Sequence, residues 1–189
     1  QWTVPLSGVV VTRYGYDVPC DQITVLTAAH PIPDKAGLNA SRQIIDAVQD
    51  LTEDDLVVAL ICGGGSALLP MPLDDLTLQD EIDLNTSLLN SGAPISVMNA
   101  LRGQFSAIKS GRLAQLAHPA KVVTLVVSDV PGNDPAQVAS GPTVPSTVSR
   151  EDALSLIDIW SISMPPRLAK WLEITPRGTP ITQDASFAR

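Results

Sequence analysis

Two runs, LVVALIC at 56–62 and KVVTLVVS at 121–128, are apolar and β-rich almost throughout, with no polar alternation. A strand with one wet face alternates with a period of two. These runs instead read as strands covered on both faces, the habit of a parallel sheet. Shorter β-rich runs stand at 8–12 (GVVVT) and 23–27 (ITVLT), and helical patterns fall between the strands. Over 35–51, Ile44, Ile45, Val48 and Leu51 share one stripe, opposite Gln43, Asp46 and Gln49. A helix over 78–91 is predicted from Thr77 as its cap, Asp80 three residues on and Gly92 as its stop. Ser149 and Asp152 repeat the capping signal before 153–160. Strands alternating with helices predict a single α/β domain over 1–189, with a mostly parallel sheet and right-handed crossovers.

Charge narrows the function classes. With 12 Lys+Arg against 20 Asp+Glu, the net charge is −8. No basic stretch exists to neutralise phosphates, which argues against nucleic acid or an anionic membrane as partner. No apolar run reaches the ~18 residues of a membrane span. Cys20 and Cys62 are too few for a disulfide framework, so a reducing cytoplasm is the simpler expectation.

In sheets of this kind the chemistry gathers at the carboxyl ends of the strands. The first long run leads into Gly63-Gly64-Gly65-Ser66-Ala67-Leu68-Leu69. Three glycines let backbone N–H groups approach an anion, and a helix starting near Ser66 adds its positive end. The dinucleotide fingerprint fails because its third glycine would fall at Leu68. No Gly-Lys-Ser/Thr follows for a Walker A loop, and Leu68 also breaks the nucleophile elbow. A plain strand-to-helix turn is the alternative. The second long run leads into Ser128-Asp129-Val130-Pro131-Gly132-Asn133-Asp134-Pro135, then Ala139-Ser140-Gly141-Pro142-Thr143. Asp129 and Asp134 suit Mg²⁺ through one or two oxygens, or else merely cap backbone donors. The segment from Asn99 to Leu113 holds Arg102, Lys109 and Arg112, a concentration of cations in an acidic chain. A carboxylate or phosphate substrate needs such a patch, although cations near helix ends also complement the dipole. His30 and His118 read as loop histidines without a partner at motif spacing.

Gly63 to Pro70, Ser106 to Leu113, Ser128 to Pro135 and Ala139 to Thr143 occur in that order, after Val11-Thr12-Arg13-Tyr14-Gly15 and Ala29-His30-Pro31-Ile32-Pro33-Asp34. This set resembles the glycerate 2-kinase family of the MOFRL type, whose members are often labelled hydroxypyruvate reductases. The likeness covers nearly the whole chain. It implies ATP-dependent, Mg²⁺-assisted phosphorylation of D-glycerate at its 2-hydroxyl to give 2-phosphoglycerate. The implied fold is a Rossmann-like three-layer α/β sandwich facing a smaller C-terminal domain across a cleft. Phosphoryl transfer asks mainly for positioning and charge neutralisation. On that basis Gly63, Gly64, Gly65 and Ser66, with Asn99, would bind an anion. Arg102 and Lys109 would stabilise charge on the substrate or the transferring phosphoryl. Asp129 and then Asp134 would position Mg²⁺, while Ser140, Gly141 and Thr143 would complete the rim.

The chain departs from the family pattern at several points. Arg102-Gly103-Gln104 stands where members commonly read Arg-Lys-His, Cys62 replaces a serine, and Ser110 replaces a glycine. A Gly-Lys-Ala segment with a catalytic lysine would precede the first strand, and the MOFRL domain would follow Arg189. The chain, opening on Gln1-Trp2, is therefore expected to be the middle of a longer protein, inactive alone, whose missing segments or a second copy would be its partners. Three other readings stand beside the kinase: an NAD(P)-dependent hydroxypyruvate reductase, a non-catalytic anion-binding or assembly domain, and a serine hydrolase using Ser66.

Overall fold

The computed structural model describes residues 4–73 and 75–174. Its strands are β1 (Gly8–Arg13), β2 (Ile23–Ala28), β3 (Leu56–Cys62) and β4 (Lys121–Val127). The helices are α1 (Lys35–Val48), α2 (Gly65–Leu68), α3 (Leu78–Ser91), α4 (Ile95–Gln104), α5 (Arg112–Leu116), α6 (Arg150–Ile159) and α7 (Pro166–Ile174). β1 pairs parallel with β2, from Gly8 opposite Ile23 to Arg13 opposite Ala28. β3 pairs parallel with β4, from Leu56 opposite Lys121 to Cys62 opposite Val127. Among the described residues the ladders form two separate two-stranded sheets. The α/β class and the parallel direction agree with expectation.

Capping chemistry explains where α1, α3 and α6 begin. Asp34 accepts from the Gly37 amide at 2.9 Å and starts α1. Thr77 and Asp80 form a reciprocal capping box at α3, and Gly92 in the left-handed region stops it. Ser149 and Asp152 repeat the box at α6. Each arrangement satisfies backbone donors that the first helical turn leaves open.

Two clusters make the core. Ile45 and Val48 of α1 meet Leu69, Ile108, Leu113 and Ala117, with Val57 of β3 and Val122 of β4 packed against them. A helical layer is built on Leu84, Leu88, Val97, Leu101, Phe105, Ala153, Leu168 and Leu172, from α3, α4, α6 and α7.

The expectation that β3 and β4 are covered on both faces is corrected. Leu56, Val58 and Leu60 are exposed on β3, as are Val123, Leu125 and Val127 on β4. Val57, Ala59 and Val122 face inward. Among the described residues, layers pack on one face of this ladder only. An apolar run permits burial on both faces, but burial depends on elements packing there.

Candidate functional site

The carboxyl ends of the strands converge on the glycine turn. Gly64 takes φ 80° and initiates the four-residue α2, a left-handed conformation that costs an L-residue roughly 1–2 kcal/mol. A Cβ at Gly63 would lie 1.8 Å from Asp129 Oδ2, so the turn passes directly beneath that carboxylate. A Cβ at Gly64 would lie 3.3 Å from His30 Nε2. Sequence spacing left His30 as a plain loop residue; its approach to the turn comes from β2 ending beside β3's loop.

Behind the turn runs a chain of polar side chains. The hydroxyls of Ser66 and Ser140 are 2.9 Å apart, and Ser140 donates to Asn99 Oδ1 at 3.0 Å. Arg102 donates from Nη1 to the same oxygen at 3.0 Å and from Nε to Asn85 Oδ1 at 2.7 Å. Asn99 Nδ2 donates to the Gln137 carbonyl at 2.7 Å. Asn99 and Arg102 lie three residues apart on α4, the spacing that puts two side chains on one helix face. Ser140 is held from below. Its carbonyl accepts from Ser110 N at 3.0 Å, the Gly141 carbonyl from Gly111 N at 2.7 Å, and the Pro142 carbonyl from Leu113 N at 3.0 Å. Ala139, Ser140 and Gly141 all take positive φ. At Gly141 a Cβ would meet the Ala136 carbonyl oxygen at 2.8 Å. Two consecutive non-glycine residues in that region store backbone strain of order 1–3 kcal/mol each, characteristic of binding loops.

The three cations do not form an open patch. Lys109, expected at the ligand, is fully buried. Its Nζ donates to Glu81 Oε1 at 2.6 Å and to the Leu69 carbonyl at 3.0 Å. Arg112 donates from Nη1 to the carbonyls of Gly103 (2.6 Å) and Lys109 (3.3 Å), completing the end of α4, as a cation beside a helix terminus does. Burial pushes the Arg112 guanidinium below its ordinary value. Burial does the same at Arg102, with the Glu81 charge opposing it. Both remain cationic, since arginine starts far above neutral pH.

Of the carboxylates, Asp129 is exposed and has no hydrogen bond or ion pair among the described residues, while Asp134 Oδ1 accepts from Ala136 N at 3.0 Å. Asp134 thus forms the turn that was the alternative to metal binding. Thr143 accepts from the Thr124 hydroxyl of β4 at 2.8 Å. Among the described residues no three His, Cys, Asp or Glu side chains gather as a metal cage. At the outer edge, burial pushes the Asp34 carboxyl up, but the Tyr14 hydroxyl and the amides of Gly37, Ala29 and Ala36 outweigh it and leave it below its ordinary value. Tyr14 donates to Asp34 Oδ2 at 2.6 Å, and its hydroxyl is held up chiefly by that bond.

Sequence reasoning missed Glu81 and Asn85. They sit inside the Leu84–Leu88 stripe of α3 and are buried. A Glu and an Asn interrupting an apolar helix stripe was the available signal.

A family model described as a domain of unknown function (DUF4147) matches residues 1–173. The chain belongs to that family. DUF4147 is the N-terminal domain of the glycerate 2-kinase/hydroxypyruvate reductase family of the MOFRL type. An Agrobacterium vitis protein provisionally named hydroxypyruvate reductase is 56% identical over 163 residues, 86% of this chain and 42% of the relative. The D-glycerate 2-kinase of Thermotoga maritima is 41% identical over 157 residues, 82% of this chain and 38% of the relative. The crystal structure of the Thermotoga maritima glycerate kinase superposes with a TM-score of 0.79 at 38% identity, covering 88% of this chain and 40% of that one. A Pyrococcus horikoshii structure superposes at 0.81 with 35% identity, covering 91% and 39%. This DUF4147 chain spans about two fifths of the length of these relatives. Among its described residues no helix is long and apolar enough to cross a membrane.

Proposed function

We propose that this chain carries the anion-binding half of a glycerate 2-kinase, transferring phosphate from ATP to the 2-hydroxyl of D-glycerate in a reducing cytoplasm. One observation carries the reading. Ser66, Asn99, Arg102 and Ser140 are joined by hydrogen bonds of 2.9–3.0 Å beside a glycine turn that ends a parallel strand. Relatives named glycerate kinase support the reaction class.

The turn fits phosphate oxygens. Glycine at 63–65 lets Asp129, His30 and Ala139 close directly on the backbone, and Gly63 lies so close to Asp129 that any side chain there would displace the carboxylate. Asp129 fits Mg²⁺ as a single exposed oxygen donor, in keeping with an ion that takes one or two carboxylates and otherwise uses phosphate and water. When bound, ATP supplies the phosphoryl group and Mg²⁺ neutralises its oxygens. Arg102 has its Nη2 without a partner among the described residues and stabilises charge on the anion, while the hydroxyls of Ser66 and Ser140 orient it. Gly141 and Thr143 hold the rim against β4, and Asp134 shapes the turn behind Asp129.

Isothermal titration with Mg-ATP and with D-glycerate tests this proposal, together with an assay for 2-phosphoglycerate. Saturable binding of D-glycerate that weakens at least tenfold in Arg102→Ala is the expected result. Heat-silent titrations with both compounds sink the kinase reading. The name carried by the Agrobacterium vitis relatives favours a second reading, an NAD(P)-dependent hydroxypyruvate reductase. It predicts NADH oxidation with hydroxypyruvate; the kinase predicts none. Leu68, where a dinucleotide fingerprint needs its third glycine, weighs against the reductase.

A further inference from the structure

The Glu81–Lys109 pair joins three segments far apart in sequence, and both partners are buried. Glu81 lies on α3. Lys109 follows the strand-like segment in which Ala107 N donates to the Met71 carbonyl and Leu73 N to the Phe105 carbonyl. The Lys109 amine also binds the carbonyl of Leu69, the residue that caps α2, and the Leu69 amide closes that helix onto the Gly65 carbonyl at 3.1 Å. Glu81 therefore connects, through one ammonium group, to the backbone of the glycine turn. Four residues on, Asn85 holds Arg102 from the same face of α3.

Stability does not account for this pair. Glu81 Oε2 is buried without a partner among the described residues, and a buried ion pair often adds nothing over apolar residues of similar shape. Half of the carboxylate is thus left unsatisfied, which is costly in the interior. The pair also fixes where charge lies: Glu81 cancels Lys109, while Arg102 hydrogen-bonds only to neutral amide oxygens. Of Glu81, Lys109 and Arg102 the net positive charge rests on Arg102, which shares Asn99 Oδ1 with Ser140, whereas Arg112 is spent on the carbonyls of Gly103 and Lys109.

We propose that Glu81 is a positioning residue of the anion site: through Lys109 it pins Leu69 and the glycine turn, leaving Arg102 as the cation that meets the ligand. The part concerning ligand affinity rests on the kinase reading above; the part concerning the turn does not.

The test compares Glu81→Gln with the double variant Glu81→Met/Lys109→Met, which removes both charges and keeps the volume. It uses the 189-residue protein, and global unfolding is measured alongside. Hydrogen exchange of the amides from Gly65 to Leu69, corrected for global stability, should quicken at least tenfold in the double variant, with amides of the β3–β4 ladder unchanged. D-Glycerate affinity should fall at least tenfold in the same protein, with Glu81→Asp in between. Wild-type exchange at 65–69 in a folded double variant overturns the proposal, as does unchanged affinity in a wild type that binds. If the wild type binds neither D-glycerate nor Mg-ATP, the kinase reading fails by itself and the exchange result still decides Glu81. Glu81→Gln leaves a buried lysine uncompensated; should it not fold, the double variant carries the decision.

Discussion

At the scale of single residues, two departures from the family pattern resolve into one contact. A Cβ at Gly103 would lie 2.0 Å from Ser110 Oγ, so the serine hydroxyl occupies the space of the missing side chain. Ser110 itself sits at φ 57°, where glycine is the easier residue. Gly103→Ala should therefore destabilise by about 1–3 kcal/mol through overpacking, despite alanine's better helix propensity. Ser110→Gly should remove most of that loss. Additive effects in a double-mutant cycle, read by denaturant unfolding, would show that the two positions do not compete. Gly64→Ala should cost roughly 1–2 kcal/mol for its left-handed backbone and weaken anion binding along with stability. Sequence spacing singled out Gly64, which takes the left-handed backbone, and Arg102, which hydrogen-bonds to Asn85 and Asn99. It offered no way to see that Lys109 would be enclosed, because the enclosing groups, Glu81 and Leu69, are 28 and 40 residues away.

At the scale of elements, local chemistry decides where helices start. The Thr77 hydroxyl accepts from Asp80 N at 3.3 Å, and Asp80 Oδ2 accepts from Thr77 N at 2.7 Å. Thr77→Ala should cost about 1 kcal/mol, visible as a shift of the unfolding midpoint. Asp34 plays the corresponding part at α1, and its carboxyl is held below its ordinary value. Its contribution is therefore complete above the unfolded-state value near pH 4 and is lost as pH falls through the lower folded-state value. Between about pH 5 and pH 2 the wild type should lose stability relative to Asp34→Asn, which keeps a capping oxygen and does not titrate there. A pH-independent difference between the two proteins would rule this out. The helix starts at Thr77 and Ser149 were legible because a cap and its target lie within three residues, whereas the Asp34 cap of α1 came from the structure. Helix ends were less so: α1 stops at Val48, before the Leu51 that its stripe suggests, because Gln49 turns extended.

At the scale of the whole molecule, the two-stranded β3–β4 ladder packs on one side and shows apolar side chains on the other. Leu60 is 67% and Val127 72% exposed. Leu60→Lys with Leu125→Glu, opposite charges on directly paired positions, should leave the unfolding midpoint nearly unchanged, as substitutions on exposed sites do, within about 0.5 kcal/mol. It should also lower the binding of an apolar dye such as ANS. A large loss of stability would mean that this face is buried in solution. The sequence by itself determined the strands, their parallel habit, the capped helix starts and the glycine turn, since each follows from residue types within a few positions of one another. Only the tertiary structure decided which face of β3 is covered, which cation is ion-paired and which meets only neutral oxygens. Those outcomes depend on contacts between segments distant along the chain. Burial makes an ion pair or an unpartnered oxygen costly, and which groups are buried together is a property of packing.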